Sequence, residues 1–193
     1  MLCIRNNLII AILYLLLIPI WQGVSNLDSQ YTAQCLEKTV ALAGILLFVP
    51  LCNPEYAPAL RETVLVRCKP YWKLVLMRLG MAFLCLILLC SSFLGIMQYA
   101  NCVFPFAEYF IGTVITALCM GLVGLLVAII SSQVIAGYLA ALGVYLMSFF
   151  KVLAPDAFGY LFAMSDGGTG YKWQLGGLCV ILVLLILHFA RKN

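Results

Sequence analysis

The sequence predicts an all-α protein that crosses a membrane several times. Of its 193 residues, 65% are hydrophobic and only 9% are charged. A soluble domain carries about 25% charged and about 45–50% apolar residues, so this chain has too little polar material to cover a surface in water. Its apolar residues also gather in runs of about 20 residues, the length that a helix needs to span the hydrocarbon layer. We therefore expect one membrane domain over residues 1–193, in direct contact with the lipid bilayer.

Six apolar runs follow one another along the chain. They predict helices at Ile4–Trp21, Ala33–Leu51, Trp72–Ile96, Phe104–Ile130, Gln133–Phe150 and Trp173–Ala190. The second run is short in strictly apolar residues and has to recruit polar positions at its ends. The fourth and fifth form a stretch too long for one helix across one bilayer, and only Ser131, Ser132 and Gln133 interrupt it. We predict a tight turn at these three residues, which makes the two runs a helical hairpin.

The distribution of Lys and Arg predicts the orientation of the helices. If the N-terminus is cytoplasmic, three of the eleven basic residues fall outside the cell: Lys38, Lys151 and Lys172. The other eight fall inside: Arg5, Arg61, Arg67, Lys69, Lys73, Arg78, Arg191 and Lys192. Because cytoplasmic loops carry the excess of Lys and Arg, we expect both termini in the cytoplasm.

Small residues recur at helical spacing in the predicted hairpin. In the fourth span they are Thr113, Ala117, Gly121, Gly124 and Ala128, and in the fifth they are Ala136, Gly137, Ala140 and Ala141. Faces of this kind let two helix backbones approach within van der Waals contact. They predict close packing of the hairpin, either within the chain or across a dimer.

The nine cysteines favour packing over chemistry. None forms a CxxC motif, and most lie in apolar runs, where a free cysteine behaves as a small apolar residue. No cluster of His or carboxylates accompanies them, so we expect no metal site. Cys35 and Cys102 fall on the same predicted face of the membrane, which leaves a disulfide between them open.

Glu108 is the acid that the pattern places closest to the interior of a span. It follows Pro105 in the stretch FPFAEYF. A charge at the centre of a bilayer costs about 2.5–3.5 kcal/mol on insertion scales, so its place decides its role. Either Glu108 lines a transport pathway, or it lies at the outer boundary and meets water.

The chain contains no motif for ATP hydrolysis. The stretch GGTGYK ends at Lys172, but a phosphate-binding loop requires GxxxxGK followed by Ser or Thr, and here Trp173 follows. No cysteine–histidine arrangement typical of a nucleophilic enzyme is present either. We therefore expect a protein that is not an enzyme, without a cofactor of its own and without a nucleic-acid partner.

Two connections carry more than a plain loop would. In the inner segment 53–71, Pro58 can begin a short helix over the stretch ALRETVLV, whose apolar side holds Leu60 and Val64, and Pro70 ends it. The outer segment 151–172 mixes aromatic residues with a glycine-rich end. It predicts a short helix that is half-inserted at the outer interface.

The stretch Pro54–Leu84, PEYAPALRETVLVRCKPYWKLVLMRLGMAFL, together with the six spans resembles the ABC-2 type permeases, the membrane subunits of ABC transporters. The resemblance implies that the inner segment is a coupling helix that docks onto a separate cytoplasmic ATPase subunit, which binds the ATP. The contact it implies consists of Leu60, Arg61, Glu62, Val64 and Arg67. The half-inserted segment between the last two spans is also a habit of that family. The chain departs from the family in lacking a longer amphipathic helix before the first span.

The resemblance further implies a permease in a bacterial plasma membrane that works as a homodimer or with a sister permease. Few charges and broad apolar walls suit a hydrophobic or amphipathic cargo, such as a peptide or a lipid. Two other classes stay open. Substrate-capture subunits of vitamin or metal importers also have six spans near this length, but they need a polar outer pocket, for which the loops offer Asp28, Asp156 and Asp166. The other class is a small intramembrane enzyme or membrane immunity protein.

Overall fold

The computed structural model of the chain describes residues 2–51, 71–152, 160–165 and 172–192. Within these ranges all regular structure is helical. The elements are α1 (Leu2–Gln22), α2 (Ser29–Cys35), a π-helix (Leu36–Val40), α3 (Leu42–Phe48), α4 (Tyr71–Tyr99), α5 (Phe106–Ser131), α6 (Val134–Phe149) and α7 (Lys172–Lys192). The coupling segment 53–71 lies almost entirely outside the described residues, and so do all five residues predicted to contact an ATPase.

The helices confirm an all-α protein with the character of a multi-pass membrane protein. Among the described residues, five helical segments are long and apolar enough to cross a membrane: Arg5–Gln22, Ser29–Leu51, Trp72–Tyr99, Phe106–Ser131 and Lys172–Arg191. Val134–Phe149 is a shorter apolar helix. Each of the six predicted spans coincides with one of these segments, and the ends differ by only a few residues. The second span is built from α2, the π-helix and α3 in direct succession.

The predicted turn between the fourth and fifth spans is confirmed. Helix α5 ends at Ser131, and Ser132 takes a left-handed backbone conformation with φ of 54°. Gln133 is extended, and α6 begins at the next residue. The hairpin closes through glycines, because a Cβ atom on Gly137 would lie 2.5 Å from the carbonyl oxygen of Gly124. This part of the small-residue pattern therefore packs within the chain.

The other half of that pattern meets a different helix. A Cβ atom on Gly121 would lie 2.8 Å from the carbonyl oxygen of Gly44 in α3. Ala117, one turn earlier in α5, is fully buried at the same crossing. Small residues predict that another helix approaches closely, but they do not identify that helix. Here the approaching helix belongs to the second span and not to the hairpin.

Two segments form the centre of the bundle. In the most apolar stretches of Ser29–Leu51 and Phe106–Ser131, 72% and 61% of the residues are buried, against 22% in Arg5–Gln22 and in Lys172–Arg191. Helices α1, α4, α6 and α7 surround this centre and turn large apolar side chains outward, as expected where the solvent is lipid: Leu13, Leu16, Leu84, Leu88, Leu139 and Leu184 are all exposed.

Loop contacts identify one end of the bundle, which we call the loop face and define by residues 23–28 and 100–105. The backbone N–H of Asn26 donates to the carbonyl oxygen of Ala100 over 3.1 Å, and that of Val103 to Leu27 over 3.4 Å. Cys102 lies here with its thiol near the carbonyl oxygen of Val24. Cys35 and Cys102 are both free cysteines, so the disulfide left open by the sequence is not formed.

Candidate functional site

Glu37 is buried in the middle of the protein. Its side chain has 0% exposure, and it lies eight residues after the start of α2, about 12 Å along the helix axis. The sequence pattern named Glu108 as the acid closest to a span interior. Glu37 is the more deeply placed of the two. A carboxylate at such a depth requires partners, since the desolvation of an isolated charge is costly.

Both oxygens of the Glu37 carboxylate are bound. Oε1 forms an ion pair with the ammonium group of Lys172 and accepts the backbone N–H of Met164 over 3.0 Å. Oε2 accepts the backbone N–H of Ser165 over 2.8 Å. The carboxylate therefore joins the second span to the start of α7 and to the segment that precedes it.

The ammonium group of Lys172 is equally committed. Besides Glu37, it donates to the hydroxyl of Thr116 over 2.7 Å and to the carbonyl oxygen of Leu161 over 2.8 Å. The Thr116 hydroxyl in turn donates a hydrogen bond to the carbonyl oxygen of Gly112 over 2.9 Å. An ammonium group has three N–H donors, so all of them are used. We call Glu37, Thr116 and Lys172, with the bound backbone groups of Leu161, Met164 and Ser165, the polar centre.

Lys172 also starts α7, where a positive charge opposes the helix dipole. The Glu37 carboxylate compensates for that unfavourable position as well as for the loss of water. Each charge is thus tolerable only because the other is present. Among the described residues this ion pair is buried on both sides, with 6% exposure for the Lys172 side chain and 0% for that of Glu37.

The polar centre holds a non-helical segment inside the bundle. Tyr160–Ser165 forms turns, and the exposure of its residues runs only from 0% to 5%. The sequence predicted a short helix half-inserted at the interface, whereas this described part is irregular and fully buried. Its anchor, Thr116, lies ten residues into α5, about 15 Å from the start of that helix.

Such a backbone can lie at membrane depth only where protein satisfies its polar groups. The Glu37 carboxylate binds the amides of Met164 and Ser165, and Lys172 binds the carbonyl oxygen of Leu161. The hydroxyl of Ser165 donates to the carbonyl oxygen of Phe162 over 2.8 Å. The ion pair therefore supplies hydrogen-bond partners to backbone groups that a helix would satisfy internally. We refer to Tyr160–Ser165 as the re-entrant segment.

The π-helix that carries Glu37 is fixed from two sides. Its wide turn is closed by the Ala41 N–H, which donates to the carbonyl oxygen of Leu36 over 3.0 Å. Tyr14 of α1 donates its hydroxyl to the carbonyl oxygen of Thr39, and Tyr145 of α6 donates to that of Lys38, each over 3.0 Å. Short π-helices occur frequently at functional sites. Here the two tyrosine hydroxyls bind the backbone of the π-helix next to Glu37, the residue that carries the buried carboxylate.

Removing either tyrosine hydroxyl should loosen the π-helix. We expect Tyr14→Phe and Tyr145→Phe each to lower the free energy of unfolding by about 1 kcal/mol, the net value of a typical hydrogen bond. Tyr99→Phe is the matched control because its side chain is 93% exposed, and it should cost nothing measurable. Thermal unfolding in detergent, with hydrogen exchange of residues 36–41, measures both effects. Equal stability of all three variants would show that the hydroxyls do not support the π-helix.

Glu108 lies beside the polar centre, in the wall of a cavity of about 220 Å³. The side chain is exposed and belongs to the first turn of α5, at the loop face. The cavity runs between α5, the re-entrant segment and the start of α7, and its lining comprises Glu108, Ile111, Gly112, Ile115, Met164, Lys172 and Trp173. Gly112 leaves room for the Met164 side chain, since a Cβ atom at residue 112 would overlap its sulfur in this position.

The structure thus brings together one predicted site residue and a buried ion pair that the sequence reasoning missed. Glu108 and Lys172 line the same cavity, and Glu37, which is not part of the lining, forms the ion pair with Lys172. Chemically, the arrangement offers one carboxylate to the cavity and a paired ammonium group that anchors the re-entrant segment. No protein-family model, curated protein or solved structure matches the chain.

Proposed function

We propose that the chain is the membrane subunit of an ATP-driven transporter of the ABC-2 type, which exports a hydrophobic or amphipathic cargo such as a peptide or a lipid. It works with a separate cytoplasmic ATPase subunit and pairs with a second copy or a sister permease. One observation carries the proposal: an irregular segment, Tyr160–Ser165, lies buried in the bundle between the last two apolar helices. Its position in the chain, between the last two spans, agrees with the half-inserted segment that the resemblance implies, although its described residues are irregular and buried instead of forming a helix at the interface.

The proposed orientation follows the excess of Lys and Arg. Both termini and the segment 53–71 face the cytoplasm of a bacterial cell, and the loop face is extracellular. The polar centre then lies in the outer half of the membrane. The coupling helix lies at the opposite end, so that a movement of the ATPase reaches the outer half through the second span, which carries Glu37, and through α4.

This arrangement gives the re-entrant segment a place in transport. Two copies of the chain enclose a path between them, and ATP binding brings the two partner ATPases together. The helix around Pro58–Val66 transmits that motion to the spans. The ion pair between Glu37 and Lys172 links the second span to the re-entrant segment and to the start of α7. These three parts of the chain therefore move together as one body during transport.

The test is whether the chain binds an ATPase through the inner segment. We expect the tagged chain, expressed in its native host, to retain a cytoplasmic ATPase subunit and its ATP hydrolysis on purification. Replacing both Arg61 and Glu62 by alanine should reduce the retained ATPase about tenfold or more, since charged hydrogen bonds contribute about 1.5–3 kcal/mol each. The amount of the chain in the membrane should not change.

The matched control replaces Arg191 and Lys192 by alanine, which removes charges from the same proposed side but not from the coupling segment. This variant should retain the ATPase. If the ATPase stays bound in the Arg61 and Glu62 variant with unaltered hydrolysis, the coupling contact is wrong. If no ATPase is retained by the unaltered chain, the transporter proposal itself fails.

A further inference from the structure

We propose that the cavity beside Glu108 binds an organic ammonium group carried on a hydrocarbon chain. The cavity, of about 220 Å³, lies beside the first turns of α5 and is bounded by α5, the re-entrant segment and the first residues of α7. Its charge, its walls and its size each limit what can bind there. As a statement about cargo, the inference rests on the proposed function; as a statement about binding, it stands on the cavity alone.

The charge of the site selects a cation. Lys172 lines the cavity, but its three N–H groups are used by Glu37, Thr116 and the carbonyl oxygen of Leu161. Glu37 neutralises it, so Glu108 leaves the site with a net charge of about −1. An anion would meet this carboxylate and find no donor on Lys172 that is not already engaged. A cation meets a carboxylate that can bind it.

The Glu108 carboxylate is available for such a contact. Its side chain is exposed, and within the described part of the chain no hydrogen bond or ion pair reaches its oxygens. An acid in the first turn of a helix is favoured by the helix dipole, which explains why α5 tolerates it there. The helix dipole explains the acid but not the cavity beside it. The cavity is therefore the observation that indicates a ligand.

The walls select a hydrocarbon attached to the cation. Ile111, Ile115 and Met164 supply apolar side chains, and Trp173 supplies an indole. The face of an indole attracts ammonium groups, and quaternary ammonium groups are recognised in this way. The volume is below the range of about 300–1,000 Å³ typical of pockets that enclose whole drug-sized ligands. The cavity therefore takes the ammonium group and the first carbons of the chain, and the rest of the chain lies against the apolar exterior.

Fluorescence of Trp173 tests the site directly. The chain has three tryptophans, so replacing Trp21 and Trp72 by phenylalanine leaves Trp173 as the only indole. The purified protein in a maltoside detergent is titrated with octyltrimethylammonium and, separately, with octyl sulfate. We expect a saturable change in Trp173 emission with the ammonium compound and none with the sulfate. Glu108→Gln should raise the apparent Kd for octyltrimethylammonium about tenfold or more.

Asp28→Asn is the matched control. Asp28 is an exposed acid that precedes α2 on the loop face and is not part of the cavity lining. Its replacement should change the Kd by less than about twofold. The proposal is overturned if octyl sulfate binds equally well, or if Glu108→Gln binds the ammonium compound as the parent does, in which case Glu108 meets only water.

The source of the ammonium group is decided in vesicles. Phosphatidylethanolamine added to phosphatidylglycerol vesicles should reduce the change in Trp173 emission caused by octyltrimethylammonium if the natural ligand is a lipid headgroup. If it leaves the effect unchanged, the site serves a soluble amphiphile. No ATPase takes part in these titrations, so failure of the binding result and failure of the ATPase association are separate outcomes.

Discussion

Replacing Lys172 by methionine is expected to destabilise the folded protein by about 3–5 kcal/mol, the cost of breaking a buried ion pair from one side. Glu37 would keep its carboxylate at 0% exposure with the amides of Met164 and Ser165 as its remaining partners. Thr116 and the carbonyl oxygen of Leu161 would also lose the Lys172 ammonium group as a donor, and Leu161 would keep only the longer hydrogen bond of 3.5 Å from the Thr116 hydroxyl. Methionine has a similar length and is apolar, so the effect measures the lost charge and hydrogen bonds rather than a cavity.

The double variant Glu37→Gln with Lys172→Met separates the pair from its parts. Glutamine removes the unpaired charge but keeps a carbonyl oxygen that can accept one of the two amides. We therefore expect the double variant to be more stable than Lys172→Met alone, although a lost partner for one amide keeps it below the parent. Non-additivity of this kind is the signature of two residues that interact directly.

Lys38→Met is the matched control, because Lys38 is the next residue of the same π-helix. Its ammonium group lies 5.7 Å from the centre of the Phe149 ring, a contact that contributes about 0.5–1 kcal/mol at an exposed site. Unfolding in mixed detergent measures the three variants, and hydrogen exchange at Met164 and Ser165 shows whether the re-entrant segment is released first. A cost for Lys172→Met no larger than that for Lys38→Met would mean that the pair does not hold the segment.

The helices could be predicted from the sequence because lipid leaves few alternatives. A spanning segment must satisfy its backbone internally and stay apolar for about 20 residues, and both conditions are visible in composition. The turn at Ser131–Gln133 followed from the same limit on length. The small residues announced close approaches, yet Gly121 meets Gly44 of α3 instead of the hairpin partner, since spacing on one helix contains no information about the other.

The polar centre could not be predicted in the same way. Glu37 stands next to Lys38 and near the end of a predicted span, so the sequence suggests that Glu37 and Lys38 both lie at the membrane boundary. Nothing local indicates that α2 continues into a π-helix, and it is the π-helix, held by tyrosines from α1 and α6, that carries Glu37 in the interior. Lys172 ends a glycine-rich stretch that resembled a surface turn. Only the tertiary fold brings these two charges together.

Glu108 illustrates the limit from the other side. The sequence offered two interpretations, a pathway or a boundary, and the structure gives the residue a place that suits both. It is exposed at the loop face and lines a cavity that reaches Lys172. An apolar wall with an aromatic residue beside Glu108 could have distinguished them. Ile111 and Ile115 of α5 form part of that wall, but Met164 and Trp173, which complete it, lie far along the chain.

Replacing Gly44 by alanine should have the second large effect, because the new methyl group meets backbone rather than a flexible side chain. A Cβ atom at this position would overlap the carbonyl oxygen of Ala117 and lie 2.6 Å from its carbonyl carbon and 2.9 Å from its Cα. Helices α3 and α5, which belong to the two most buried spans, would have to separate where they touch. Overpacking costs about 1–3 kcal/mol, and we expect a value at the upper end because neither backbone can yield locally.

Gly80→Ala is the control, since Gly80 lies within α4 and a Cβ atom there would have no atom within 4 Å. Alanine is favoured over glycine inside a helix by about 0.5–1 kcal/mol, so this variant should be as stable as the parent or slightly more stable. Thermal unfolding in detergent should therefore separate the two alanine variants by several degrees. Because α3 continues directly from the π-helix, a shift of Gly44 also moves Glu37, and faster hydrogen exchange at Met164 and Ser165 should accompany the loss. Equal melting of the two variants would mean that α3 and α5 are not in backbone contact, and the place of Glu37 in the interior would then lose its support.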